Sequence, residues 1–241
     1  MKLEIYRHPE DHSSEDSSRR EALSITAKEL RCPPITAIAG LGGVGTWVVN
    51  ALPQRNGFYL LFDPDSYDQS NVARLPLTLR SAVVEMAPRV KVRRAAMSQI
   101  QRTIRLFDGC DAYAFASNAR SIHGQPPFLA CLMQERLEGQ RLKDVVLLAD
   151  VLIDCTDNVR SQELLREACR DHACYLAARA DREGGISRGV IYWGHSSPLA
   201  IVGTEQETTY HNPPGPAELA IVGGTVALEW DALINTIEGD I

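Results

Sequence analysis

The chain has 241 residues, 44% of them hydrophobic and 23% charged, with a formal net charge of -6 at pH 7. That length supports one large α/β domain with a proper core, and the acidic balance argues against non-specific nucleic-acid binding, which needs a basic surface to replace counterions. No apolar run is long enough to cross a bilayer, and MKLEIYRHPEDHSSEDSSRR contains no signal-peptide core, so the cytoplasm is the expected location and no membrane partner is expected.

Residues 8–20 are polar and charged and read as a flexible arm. A short helix is predicted at Glu21–Leu30, ended by Cys32-Pro33-Pro34. The segment 1–34 is thus read as an arm and helix ahead of a single domain, 35–241. That domain opens with Ile35–Ala39, a short apolar run expected of a buried parallel strand. GLGGVG (Gly40–Gly45) follows, then a helix from Thr46 to about Gln54 and a second strand, Tyr59–Phe62, stopped by Asp63-Pro64-Asp65. Residues 66–80 read as irregular, and Lys91–Thr103 as a helix with Val92, Ala95, Ala96 and Ile100 inward.

The stretch 105–145 is the least legible. Ser117–Pro127 reads as loop and Phe128–Glu138 as helix. Val151–Cys155 is a further buried strand running into CTDN. A helix at Gln162–Asp171 and strands at Tyr175–Ala178 and Ile186–Trp193 come next. Residues 202–216, with three prolines, read as a mobile loop, and Ala217–Ile234 as a closing helix weakened by Gly223-Gly224. No internal repeat is visible. Alternating strands and helices imply a Rossmann-like, mainly parallel sheet with helices on both faces, and ligands of such sheets bind at the carboxyl ends of the strands.

Four motifs carry chemistry. Gly40, Gly42 and Gly45 satisfy G-x-G-x-x-G, with Gly43 additional, between a strand and a helix. Backbone N–H groups at a helix N-terminus bind phosphate, and glycines let it approach. Asp63, in Asp63-Pro64-Asp65, lies about 20 positions on, where an acid commonly meets a ribose hydroxyl; it is equally a strand-end turn residue. To this point a NAD-dependent dehydrogenase fits as well. Ser70-Asn71-Val72-Ala73-Arg74 and the downstream Lys91 favour triphosphate chemistry instead, because charge builds on phosphate oxygens as the bond breaks. Last, Asp154-Cys155-Thr156-Asp157-Asn158 offers a carboxylate for Mg²⁺, or simply a cap for the next helix.

In this order, GLGGVG, DPD, SNVAR, a lysine and DCTDN resemble the ThiF/MoeB family and the adenylation domains of ubiquitin-activating enzymes, over roughly residues 35–195. The resemblance implies that the glycine loop holds the ATP phosphates and that Asp63, with Asp65 beside it, meets the ribose. It implies that Asn71, Arg74 and Lys91 line the triphosphate, and that Asp157 positions Mg²⁺. The implied activity is adenylation of the C-terminal glycine carboxylate of a ubiquitin-like or sulfur-carrier protein, by a homodimer. Alternatives are activation of another carboxylate (as in a threonylcarbamoyl-tRNA dehydratase relative, or on a peptide) and a non-catalytic scaffold.

The chain departs from that family in four places. Arg74-Leu75 stands where Arg-Gln is usual, and Lys91 to Asp157 is a longer stretch than usual. The arm offers only Arg19 and Arg20 in place of the motif that sends an arginine into a partner's site. None of the six cysteines forms a C-x-x-C pair, so no structural zinc is expected, and scattered free thiols are the expectation.

Overall fold

The computed structural model describes residues 1–6, 34–52, 57–66, 73–76, 104–108, 111, 128–170, 174–183, 186–193 and 214–239. Within them lie strands β1 (Lys2–Tyr6), β2 (Ile35–Ala39), β3 (Phe58–Phe62), β4 (Ile104–Asp108), β5 (Phe128–Met133), β6 (Val151–Asp154), β7 (Cys174–Glu183) and β8 (Ile186–Trp193). The helices are α1 (Gly43–Ala51), α2 (Gly139–Leu148), α3 (Val159–Cys169) and α4 (Pro216–Gly239). The strands form one eight-stranded sheet in the order β1-β8-β7-β6-β2-β3-β5-β4. Among the described pairs only β7 and β8 run antiparallel.

The central strands are mostly apolar because both faces of the sheet are covered. On one face, Ile35, Ala37, Phe58, Leu60 and Leu129 pack with Val145 and Leu165 of α2 and α3. On the other, Ile38, Tyr59, Leu61, Ile153 and Leu176 pack with Val48 of α1 and Val222 and Trp230 of α4. The alternation along β2 therefore feeds two cores. Its one polar residue, Thr36, is fully buried and accepts a hydrogen bond from the Trp230 indole at 3.0 Å. This is the mainly parallel α/β architecture expected from the sequence.

Several elements differ from expectation. Phe128–Met133 is a strand, not the start of a helix, and pairs in parallel with both β3 and β4. Its Leu, Ala and Met favour helix intrinsically, but the slot beside β3 overrides that preference. The helix lies just beyond, at Gly139–Leu148, where the residue pattern predicted none. β1 and β4 were also unforeseen; β1 adds in parallel to β8, pairing Lys2 with Arg188. Helix α1 starts at Gly43 rather than Thr46, so the last glycines of the motif form its first turn.

Gly223 does not break α4, because the helix needs it: a Cβ there would stand 2.6 Å from the main chain and Cβ of Trp47. Pro216 occupies the first helical position, and the Gly215 N–H donates to Glu218 Oε2 at 2.6 Å, half of a capping box. The helices expected at Glu21–Leu30 and Lys91–Thr103, and the loop at 202–216 up to residue 213, lie outside the described residues. No helix among the described residues is long and apolar enough to cross a membrane.

Candidate functional site

Strand β2 stands within the sheet with β3, β5 and β4 on one flank, and after β5 the chain crosses back to lay β6 on the other flank of β2. The crossover leaves a crevice beyond the carboxyl ends of β2 and β6, where doubly wound sheets take their ligands. A cavity of about 290 Å³ lies there, lined by Gly40, Gly42 and Gly43 after β2, Asp63 and Asp65 after β3, and Thr156, Asp157 and Asn158 after β6. Arg74 also lines it. Sequence-distant residues expected around one nucleotide thus share one cavity. Asn71, Lys91, Arg19 and Arg20 lie outside the described residues.

The glycine loop is shaped by three separate constraints. Gly40 has φ +81°, and a Cβ there would press to 2.9 Å on the Cys155 carbonyl and the Thr156 nitrogen. The close seat of this loop on the end of β6 therefore requires glycine. A Cβ at Gly45 would collide with the Gly40 carbonyl oxygen, so the helix lies hard against the strand end. At Gly42 a Cβ would meet nothing within 4 Å: the space it opens is the cavity's own, a cradle that a side chain would fill. Thr46 closes the loop by donating its hydroxyl to the Leu41 carbonyl at 2.8 Å.

Asp63 is 5% exposed. Its Oδ2 accepts from the Leu41 N–H at 2.6 Å and its Oδ1 from the Asp65 N–H at 2.9 Å. It is first a tether, fixing the loop after β2 to the turn after β3. Each carboxylate oxygen has a second lone pair, so the tether does not exhaust it as an acceptor. Asp65, by contrast, is exposed at the cavity rim.

The turn after β6 is held from behind by a buried network. Asp154 is 1% exposed and its Oδ1 accepts from both the N–H (2.9 Å) and hydroxyl (2.7 Å) of Thr156. Its Oδ2 accepts from the Tyr175 hydroxyl. Gln162, also buried, donates its amide to the Thr156 carbonyl. Burial raises the Asp154 carboxyl above its ordinary value, against the lowering pull of the Tyr175 and Thr156 hydrogen bonds and the Arg179 charge. Asn158 caps α3, accepting from the Ser161 N–H at 3.0 Å, which is the plain structural role the sequence left open for it. Asp157 makes no such cap and is exposed at the cavity edge.

Sequence reasoning missed part of the lining. Glu135, Arg136, Leu137 and Glu138 come after β5 and border the cavity beside the Asp63 turn. Reading Phe128–Met133 as a strand would have exposed them, since residues after a parallel strand fall at the ligand edge. Cys155 lines the cavity as well, with its thiol raised well above the ordinary range by burial and by Asp154. Cys169 and Cys174 are free, and Cys174 is pushed up to about 11 by burial and by Asp150. Against the expectation of free thiols, Cys131 on β5 is disulfide-bonded.

Among the described residues no three His, Cys, Asp or Glu side chains gather as a metal cage. The donor set at the cavity is instead single carboxylates beside the glycine loop. Mg²⁺ is commonly held in that way, by one or two carboxylates plus substrate phosphates.

Comparison with known proteins agrees with this fold. Sulfur carrier protein ThiS adenylyltransferase of Escherichia coli (strain K12) is 29% identical over 133 residues, which is 55% of this chain and 43% of that protein. Among solved structures, E. coli MccB with MccA-N7isoASN superposes with a TM-score of 0.53 at 14% identity, covering 90% of this chain and 60% of that one. E. coli MccB with ATP superposes with a TM-score of 0.51 at 12% identity, covering 94% and 65%. At such identities the likeness is one of fold, and the chain spans under two thirds of the length of each relative. The ThiF family model matches residues 35–180, more than half of the sequence, and the chain belongs to the ThiF family.

Proposed function

We propose that the chain is an adenylyltransferase that uses ATP to activate the C-terminal carboxylate of a ubiquitin-like or sulfur-carrier protein, releasing pyrophosphate. The observation that carries this reading is one cavity at the sheet crossover, bordered at once by the glycine cradle, Asp63 and Asp65, Arg74 and Asp157. ThiS adenylyltransferase is the relative whose chemistry it borrows.

A carboxylate is a poor electrophile at neutral pH. In this reading its oxygen attacks the α-phosphorus of ATP, the bond to the bridging oxygen breaks, and pyrophosphate leaves with the electron pair. No protein nucleophile is required, only positioning and stabilisation of the charge that develops on phosphate oxygens. The N–H groups at the start of α1 hold phosphate, Asp63 and Asp65 face the ribose, and Asn71, Arg74 and Lys91 oppose the triphosphate charge. Asp157 would hold Mg²⁺, which supplies charge neutralisation across phosphate oxygens when bound. The cytoplasm is the proposed setting.

Pyrophosphate exchange into ATP, with candidate carriers ending in glycine, tests the reading. Arg74→Ala, Lys91→Ala and Asp157→Ala should each slow exchange roughly 10²–10³-fold, as loss of a preorganised donor does elsewhere; near-normal exchange in all three would mean the residues are misassigned. ATP with magnesium should raise the melting temperature well above the effect of NAD, since a ligand at about 100 times its Kd stabilises by about 2.7 kcal/mol. A NAD effect equal to that of ATP would reject adenylation in favour of a dehydrogenase. A homodimer is proposed on the family resemblance, and light scattering that finds only monomer at every concentration would reject it without touching the fold.

A further inference from the structure

The Arg74 turn is fixed in an unusual way. Its backbone carbonyl accepts a hydrogen bond from the Trp47 indole N–H at 2.8 Å, across 27 residues of sequence. Trp47 is a half-buried residue of α1, one turn beyond the glycine cradle. Directly after Arg74, Leu75 is 1% exposed and Pro76 is buried. The backbone is therefore held at the arginine's own carbonyl and at the two residues that follow it, and the residue lines the cavity. The leucine that replaces the family's usual glutamine has a role here, as the apolar anchor of this turn.

Trp47 is itself held. Helix α4 crosses α1 so closely that Gly223 can carry no Cβ without meeting the Trp47 backbone and Cβ at 2.6 Å. The same helix brings Leu219, four residues earlier, to the cavity and to within 3.1 Å of a Cβ built on Gly43. Its entry residue Pro214 lines the cavity too. The indole thus stands between the long closing helix and the one described cation of the proposed triphosphate set.

We propose that Trp47 is the positioning residue for Arg74: its indole N–H fixes the Arg74 carbonyl and so aims the guanidinium at the β- and γ-phosphates of ATP. This role rests on the proposed use of ATP. It goes beyond that use in assigning the aiming of a cation to a side chain on the phosphate-cradle helix, which gives that helix a second function.

The test measures ATP and AMP affinity by calorimetry in magnesium buffer, for the full chain carrying Trp47→Phe, Arg74→Ala and both. Trp47→Phe keeps an aromatic ring and removes the donor. Replacing Trp47 with benzothienylalanine, in which sulfur takes the place of the N–H, repeats the test with the ring shape kept. In either variant ATP should bind roughly fivefold more weakly, the equivalent of one ordinary hydrogen bond. AMP, which lacks the outer phosphates, should change less than about twofold, and in the Arg74→Ala background the Trp47 change should add less than about twofold. Equal weakening of ATP and AMP, an undiminished effect without Arg74, or unchanged ATP affinity in the benzothienylalanine protein would each overturn the proposal while leaving the ATP reading intact. If the wild type binds neither nucleotide, the ATP reading fails and the role of Trp47 falls with it.

Discussion

Gly40 and Gly42 are two residues apart and meet different surroundings. Gly40 has a positive φ and lies against the Cys155 carbonyl, so its constraint belongs to the fold. Gly42 has φ -72° and open space where a Cβ would go, so in the proposed function its constraint comes from the phosphate. Substitution should separate the two. Gly40→Ala forces an L-residue into the left-handed region, costing about 1–2 kcal/mol, which lowers the melting temperature of a chain this size by about 2–8 °C. Gly42→Val should shift it less and yet abolish ATP stabilisation, because the side chain fills the phosphate's approach. Thermal melts with and without ATP check both. A Gly42→Val protein that still gains stability from ATP would take the phosphates off this loop. The glycine motif was legible from sequence because close backbone approach at Gly40 and Gly45 leaves no room for another residue type. The tether role of Asp63 was not, because the Leu41 N–H that it accepts from becomes a partner only once β2 and β3 are laid side by side.

At the scale of elements, the β6–α3 turn shows how a buried group can serve an exposed one. Asp157 stands at the cavity edge while Asp154, three residues back, grips Thr156 through its N–H and hydroxyl. The sequence motif presents both aspartates alike; only burial assigns them different work. Asp154 also gives the fold a pH signature. Its carboxyl is raised by desolvation, so the folded state holds this proton more tightly than the unfolded chain does. The stability it contributes is fully present below the ordinary carboxylate value and is lost as pH rises through the folded value. Asp154→Asn has no proton to lose. The unfolding free energy of wild type relative to this variant should therefore fall as pH rises above the ordinary carboxylate range, measured by urea titration at each pH. A difference that is flat, or that grows with pH, would show that the Tyr175 and Thr156 hydrogen bonds outweigh desolvation. The misread element, Phe128–Met133, has the opposite lesson. Its residue types favour helix, and nothing local says strand; its identity comes from the parallel slot between β3 and β4.

For the whole molecule, the alternation of apolar runs with helical segments was enough to read a doubly wound sheet. The sheet's edges were not readable, because β1 and β4 depend on partners far along the chain. The same long-range packing bears on the fate of the acyl-adenylate in the proposed reaction. Many enzymes of the kind this sequence resembles pass the acyl group to a cysteine, and such a thiol must ionise and be reached. Among the described free cysteines, Cys169 is fully buried and its thiol is raised by desolvation and by Asp154. Cys174 is pushed up to about 11, and Cys155, though at the cavity, is raised well above the ordinary range beside Asp154. Arg166 and Arg170 lie on or beside α3, near Cys169 in sequence, but burial and the Asp154 charge set the direction at that thiol. The acyl-adenylate is therefore expected to pass to an external nucleophile. Incubating enzyme, ATP and a carrier should give AMP-linked carrier by mass spectrometry and no dithiothreitol-sensitive conjugate on a non-reducing gel. A conjugate that dithiothreitol removes, and that Cys155→Ala, Cys169→Ala or Cys174→Ala eliminates, would overturn this and make the chain a thioester-forming activator. Its position would then identify which buried thiol the carrier's arrival uncovers.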